Sequence, residues 1–208
     1  MSPEIAISPP PSVLPVPDSC QYPDAVQALR AATKSLHETL DHGLPLARPD
    51  ADVRDYALHL TVLRDWQIAL APWLSRSGSD LSSQALMDED LKDCGSAADA
   101  PSRLPSLSTT AVCAEDDGSD AFCWGVSYVL EGSRLGGQVL YRRLQVPLAP
   151  HPLRYLGERH THGRSWPQTL AALRLQLATP DALAAGCRGA VAAFTLLLAR
   201  FRQAGALA

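Results

Sequence analysis

The chain has 208 residues, of which 46% are hydrophobic and 19% are charged, and its formal net charge at pH 7 is −4. A chain of this length and composition predicts one domain with a hydrophobic core, and it excludes collagen-like, disulfide-stapled and wholly disordered proteins. Five scattered cysteines without a CxxC pair predict reduced thiols in a cytoplasmic protein, with no zinc site.

Neither a membrane span nor a signal peptide is predicted. The longest apolar stretch, 190–199, is shorter than the roughly 18 residues that a transmembrane helix needs. The first residues, MSPEIAISPPPSVLPVP, lack a basic region and are interrupted by prolines. Residues 1–23 hold seven prolines in all, which predicts a flexible extension ahead of a folded part, 24–208.

Periodicity predicts two helices in the first third of the folded part. Asp24 is the expected N-cap of a helix that runs to about residue 41, where His42, Gly43 and Pro45 end it. A second helix is predicted over 53–74. Its inward face is expected to carry six apolar side chains: Tyr56, Leu60, Leu63, Ile68, Leu70 and Trp73.

The remainder of the chain also predicts helices and almost no strand. Residues 75–108 are rich in Ser, Asp and Pro and predict at most one short helix. A long helix is expected over 121–144, followed by a loop with about one helical turn. Two last helices are expected over 166–177 and 180–203, the second with Thr179 as its N-cap. The predicted fold class is therefore an all-α, single-domain bundle.

Charge is distributed unevenly along the chain. Residues 80–120 carry ten acidic and two basic side chains, whereas the chain from Arg134 onward carries ten arginines and two acids. The arginines are dispersed, and only three aromatic residues follow position 160, so nucleic acid is not the expected partner. A small anionic ligand or an acidic protein surface fits this pattern better.

The first predicted helix carries a histidine beside two cations in the segment LRAATKSLHETLDH, 29–42. Arg30, Lys34 and His37 are spaced i, i+4 and i+7, which places them on one face of the helix. A neutral imidazole there could ligate iron while the cations hold acidic tails of the same ligand. The alternative is a surface histidine beside two solvated cations, and the spacing alone leaves both open.

The long helix contains four glycines, at positions 125, 132, 136 and 137, inside an otherwise helical and apolar segment. Each glycine inside a helix costs about 1 kcal/mol relative to alanine, so some other interaction must offset them. One alternative is close helix packing, because Gly132 and Gly136 form a GxxxG pair. The other is a flat ligand against the bare backbone, which the adjacent pair Gly136-Gly137 favours, with a kink over the ligand.

These two segments together resemble the heme oxygenase family. LRAATKSLHETLDHGL is similar to the proximal-helix signature of that family, and YVLEGSRLGGQVL is similar to its glycine-rich distal helix. The form EGSRLGG is more similar to bacterial members, including those associated with bacteriophytochromes, than to animal members. The resemblance covers about 24–204 and implies a helical bundle that holds heme between the two signature helices.

The resemblance implies a role for five residues around the heme. His37 takes the place of the single protein ligand to heme iron. Lys34 and Arg30 match basic residues that reach the heme propionates, and Tyr128 lies near a tyrosine that contacts a propionate. Phe194 matches an aromatic residue that lines the pocket from the last helix.

The distal residues follow from the same resemblance. Gly132, Gly136 and Gly137 match glycines whose backbone approaches the porphyrin and leaves room for dioxygen. Ser133 stands where animal-type enzymes carry a distal aspartate. The catalytic assignment therefore falls on Ser133, Gly132 and Gly136, with a water network that rests on a hydroxyl, backbone groups and water.

The downstream basic residues of the family fall here on Trp166 and Leu170, so either other cations hold the propionates or the heme is seated differently. Arg159, Arg164 or Arg174 are the alternatives. The arginines of 154–174 are also expected to form a docking face for an acidic electron donor, with the acidic segment 80–120 lying away from it.

The implied activity is cleavage of heme, which is both substrate and cofactor, to biliverdin, carbon monoxide and ferrous iron. An external electron donor is expected, because no dinucleotide, flavin or iron–sulfur motif is present, and a phytochrome is the expected recipient of the bilin. Two alternatives remain: a heme or bilin carrier with the same fold and no turnover, and an unrelated helical enzyme of the thiaminase-like kind.

Overall fold

The computed structural model describes residues 24–95, 106, 108–158 and 164–207, and every regular element in these residues is helical. The elements are α1 (Ala25–Gly43), a 3-10 turn (Pro45–Ala47), α2 (Val53–Arg76), α3 (Gln84–Cys94), α4 (Thr110–Glu115), α5 (Asp120–Leu144), α6 (Arg154–Gly157), α7 (Trp166–Gln176) and α8 (Pro180–Gln203). The predicted all-α class is confirmed. The predicted extension, 1–23, lies outside the described residues.

Helix starts follow local capping chemistry. Thr179 caps α8 as predicted, since its hydroxyl accepts a hydrogen bond from the Ala182 amide at 3.3 Å. Asp24 precedes α1 as predicted, but its carboxylate makes no capping bond and accepts two hydrogen bonds from Arg174 instead. The start of α2 is a capping box around Asp52, which the sequence pattern did not single out.

The centre of the bundle is the crossing of α5 and α8, where glycines let two backbones touch. A Cβ atom on Gly125 would lie 2.7 Å from the carbonyl carbon of Gly186 and 2.9 Å from the amide nitrogen of Ala190. A Cβ atom on Gly189 would lie 3.0 Å from the carbonyl carbon of Phe122. Since no side chain fits at either position, glycine is required for this crossing.

α2 packs on α8. Trp66 is fully buried and donates its indole N–H to the carbonyl of Ala193 at 2.9 Å, and Arg200 pairs with Asp65. The expectation that Ile68 faces inward is wrong, because its side chain is 53% exposed. Ile68 is two residues from Trp66, and two residues turn the helix by about 200°, so the two side chains point in opposite directions.

Asp90 connects three helices. Its buried carboxylate accepts hydrogen bonds from the Tyr56 hydroxyl at 2.6 Å and from the backbone amides of Arg154 and Tyr155 at 3.1 and 2.9 Å. The Arg154 guanidinium also contacts Asp90 at 3.1 Å and Asp93 at 2.5 Å. The expectation that the acidic segment lies away from the arginines of 154–174 is therefore wrong: Arg154 is folded onto the acidic helix α3.

Within the described residues, α8 is the one helix whose length and apolar composition would let it cross a membrane. Half of its most apolar stretch is buried inside the protein, where it packs against α5, α1 and α2. These contacts are those of a core helix.

We expect Gly125→Ala to lower the free energy of unfolding by at least about 2 kcal/mol, because the new methyl group would overlap the α8 backbone. The matched control is Gly136→Ala, where no atom lies within 4 Å of the added carbon. Better helix propensity should raise stability there by up to about 1 kcal/mol. Urea unfolding followed by circular dichroism measures both, and equal effects of the two variants would contradict the crossing.

Stability should also depend on His59, which is buried against Phe201 with no partner for its Nδ1 atom. Burial lowers the pKa of His59 from 6.5 to about 4. Between these values the unfolded chain binds a proton that the folded chain does not, so stability falls as the pH drops from 6.5 towards 4, by up to roughly 3 kcal/mol.

We expect His59→Leu to remove this part of the pH dependence. Urea unfolding at pH 7 and pH 4.5 measures how much the free energy of unfolding changes between these pH values. Comparing this change in the variant and in the unchanged protein cancels the contributions of all other ionisable groups. If the free energy of unfolding changed equally between the two pH values in the variant and in the unchanged protein, His59 would have the same pKa in the folded and unfolded states.

Candidate functional site

α1 and α5 both pack on α8 and approach each other at two places, and we refer to the space between them as the slot. At one end Arg30 on α1 lies close enough to Tyr128 on α5 for its positive charge to act on the Tyr128 hydroxyl. At the other end Arg143 donates to the carbonyls of Leu46 and Ala47, just after α1. The fifteen residues from Tyr128 to Arg143 span about 22 Å. Both helices pack on α8, which forms the floor of this slot.

His37 stands on the α1 side of the slot. Its Nδ1 atom lies 2.9 Å from a carboxylate oxygen of Asp41, and its ring centre is 5.6 Å from that of Phe194 on α8. Because an ionised carboxylate only accepts, Nδ1 carries the proton of the neutral imidazole and Nε2 keeps a free lone pair. The side chain is 60% exposed, so this lone pair is accessible to a ligand.

Asp41 was not predicted as a site residue, although its i+4 spacing from His37 on a helix was the available signal. Metal-binding histidines commonly donate their second ring N–H to a carboxylate, which fixes the ring and increases its basicity. The His37–Asp41 pair has that arrangement.

The two cations on α1 predicted to hold propionates, Arg30 and Lys34, have different neighbours. Arg30 lies beside Tyr128, and burial raises the pKa of Tyr128, an effect that the positive charge of Arg30 opposes. The Tyr128 ring is 6.0 Å from that of Trp166. Lys34 lies one turn further along α1 and forms a loose, exposed pair with Glu38 at 3.9 Å. Both cations remain at the surface of the slot.

The α5 side of the slot is an uncovered apolar face, formed by Gly132, Leu135, Gly136 and Val139. Among the described residues, no atom lies within 4 Å of where a Cβ atom on either glycine would be. Leu135 and Val139 are 38% and 64% exposed. Because this spacing is that of one helix face, two bare backbone positions and two apolar side chains open on the same space. The helix-packing alternative does not hold for these two glycines.

The four glycines of α5 thus have three different surroundings. Gly125 lies in the α5–α8 crossing, whereas Gly132 and Gly136 face open space. A Cβ atom on Gly137 would make an ordinary contact, 3.5 Å from a Leu156 methyl carbon.

Ser133 lies beside this face, half-buried, and donates its hydroxyl proton to the carbonyl of Leu130 at 2.7 Å. In this conformation the Ser133 oxygen can accept a further hydrogen bond but cannot donate one.

Two of the three alternative propionate cations, Arg164 and Arg174, bind other groups. Arg164 lies over the Trp124 ring at 4.4 Å and donates to the carbonyl of Ser77. Arg174 binds Asp24 at 2.9 Å. Leu170 packs against the hydrophobic core, and Arg159 lies outside the described residues.

A second concave feature, a groove of about 530 Å³, lies between α4 and α8. Its walls are mostly apolar, and none of its described lining residues belongs to α1 or α5. It is therefore separate from the slot that contains His37.

The fold is a helical bundle in which α1 presents His37 and α5 presents an apolar face with two glycines that no described residue covers. No protein-family model matches the chain, and no solved structure matches it. A heme oxygenase of Xanthomonas campestris pv. campestris (strain 8004) is 31% identical over 153 residues, which cover 70% of this chain and 86% of that protein. The chain belongs to the heme oxygenase family.

Proposed function

We propose that this protein is a heme oxygenase that cleaves heme to biliverdin, carbon monoxide and ferrous iron, using dioxygen and electrons from an external donor. One arrangement carries the proposal: His37, with Nε2 left free by Asp41, lies on one helix of a slot whose other helix presents Gly132 and Gly136 without any covering atom. The name of the Xanthomonas relative supports the same activity.

The residues of the slot suit the chemistry of heme. A flat apolar ring fits against the uncovered face of α5, where side chains are absent at Gly132 and Gly136. Two carboxylate tails fit the exposed cations Arg30 and Lys34 through charge-assisted hydrogen bonds. His37 offers the nitrogen donor that iron accepts. When bound, the heme itself supplies the oxygen chemistry and is consumed by it.

The chain's own residues orient this substrate. His37 approaches the ring from the α1 side, and Asp41 holds the imidazole in one tautomer. The opposite face of the ring stays accessible to a small molecule, because Gly132 and Gly136 place no side chain there. Phe194 packs beside the imidazole and excludes water from that side.

A heme or bilin carrier without turnover is the second candidate, and Ser133 favours it. Its hydroxyl donates a hydrogen bond to the carbonyl of Leu130. A hydrogen bond to a small molecule on the α5 side therefore needs either rotation of the Ser133 side chain or an ordered water. Hemin added with a chemical reductant under air separates the two candidates. Decay of the Soret band to a bilin spectrum indicates the enzyme, and a stable Soret band indicates the carrier.

The electron donor, the phytochrome and the compartment complete the proposal. The donor is external because the sequence carries no redox-cofactor motif of its own. A bacteriophytochrome as recipient of the bilin rests on the resemblance of EGSRLGG to phytochrome-associated members. Free thiols at four described positions, Cys94, Cys113, Cys123 and Cys187, support a reducing, cytoplasmic location.

We expect His37→Ala to lower turnover by more than the roughly 10- to 100-fold that loss of an outer-shell partner causes, because the iron ligand itself is removed. Added imidazole should restore part of the activity. The control is His42→Ala on the same helix, where the imidazole is hydrogen-bonded to the carbonyl of Glu38. A His37→Ala protein with an unchanged Soret spectrum and rate would refute the assignment.

We expect Gly136→Leu to weaken hemin binding at least about tenfold while the protein stays folded, because the new side chain fills the space beside the ring. Gln138→Leu is the matched control, since its position is turned about 200° away on the same helix. Hemin titrations followed by the Soret band measure both, and equal affinities would place the ligand elsewhere.

A further inference from the structure

The glycine-bearing segment 132–136 lacks support on the side of the slot. In the described part of the chain, an added Cβ atom on Gly132 or Gly136 would have no neighbour within 4 Å, and Leu135 between them is partly exposed. Glycines also weaken the helix itself. Whatever keeps this segment in place must therefore act from the other side of α5.

A buried ion pair lies on that other side. Arg134 is two residues from Gly132 and two from Gly136, so it points about 160° away from both. Its guanidinium contacts both carboxylate oxygens of Glu131 at 2.9 Å, and its second terminal nitrogen donates to the carbonyl of Asp80. The side chains of Arg134 and Glu131 are 4% and 7% exposed.

This pair is a poor source of stability. Burial raises the pKa of Glu131. The positive charge of Arg134 lowers that pKa, but by less than burial raises it. The Nε atom of Arg134 is also buried without a hydrogen-bond partner. Buried ion pairs of this kind are often neutral or unfavourable compared with apolar side chains of similar size. What the pair does supply is a directional bond from α5 to the loop at Asp80.

The loop that receives this bond is itself held in place. The hydroxyls of Ser79 and Ser127 are 2.7 Å apart, which joins the loop to α5 one turn before Glu131. Arg164 donates to the carbonyl of Ser77 at 2.5 Å. The loop that accepts the hydrogen bond from Arg134 is therefore held in place by other bonds. Through Arg134, the position of 132–136 depends on this fixed loop.

We propose that the Glu131–Arg134 pair is a positioning element that holds the glycine-bearing segment of α5 at a fixed distance from His37 and so sets the space available on the ligand face. The first part concerns the protein alone. The second part, the effect on the ligand, rests on the proposed function.

The test compares Glu131→Leu/Arg134→Met with the unchanged protein. The double variant removes both charges together, so no unpaired buried charge remains to unfold the chain. Arg134→Lys is the conservative variant, because an ammonium group can still donate to the Asp80 carbonyl. Arg200→Met is the matched control: it removes another buried arginine, which pairs with Asp65 away from the glycines.

Hydrogen–deuterium exchange without hemin is the first readout. The double variant should exchange at least about tenfold faster in peptides covering 130–138, with the α5–α8 crossing unchanged. Arg134→Lys should restore part of the protection, and Arg200→Met should leave 130–138 unaffected. Unchanged exchange over 130–138, or a uniform increase over the whole chain, would overturn the proposal.

The second readout is the stretching frequency of carbon monoxide added as a probe to the reduced hemin complex. A shifted or broadened band in the double variant, with the Arg134→Lys band nearer to the original, supports the proposal. An unchanged band despite faster local exchange would overturn its second part. If the unchanged protein bound no hemin, the proposed function would fail, and the exchange data would still decide whether the pair positions the segment.

Discussion

The rest of the structure depends on the crossing of α5 and α8, where Gly125 and Gly189 bring two backbones into direct contact. This crossing uses the first half of α5 and holds it on the central helix. α1 lies along the same helix, so the second half of α5 stands apart from α1 and leaves a slot. Arg143 bonds to the carbonyls of Leu46 and Ala47 at one end of the slot, and Arg30 lies beside Tyr128 at the other. The uncovered face of α5 is thus a consequence of helix packing elsewhere in the bundle.

The predicted and observed structures agree where local chemistry decides the outcome. Periodicity and capping residues placed the long helices to within a few residues, because those signals act within one helix. The surroundings of the glycines could not be read from the sequence in the same way. Gly125 and Gly132 occur in the same apolar helix, and only the distant Gly186 and Ala190 decide that one is packed and the other uncovered. The pairing of His37 with Asp41 was within reach, since it depends on helix spacing alone.

The spatial arrangement of the charged segments is where the structure differs most from the prediction. The arginines of 154–174 were expected on a face away from the acidic segment 80–120, yet Arg154 binds Asp90 and Asp93. Segments far apart in sequence carry opposite charges, and folding brings such charges together. These pairs hold Arg154 on α3 and so remove it from any role at the slot. Arg30 and Lys34 lie on the same helix as His37 and remain exposed.

The central claim is that one ligand lies between His37 and the glycine face of α5. A crystal structure of the protein with hemin, with anomalous data collected at the iron edge, tests this claim most directly. We expect a single iron peak within coordination distance of the His37 Nε2 atom, with the ring against Gly132 and Gly136. An iron peak beside another histidine, or in the groove between α4 and α8, would contradict it.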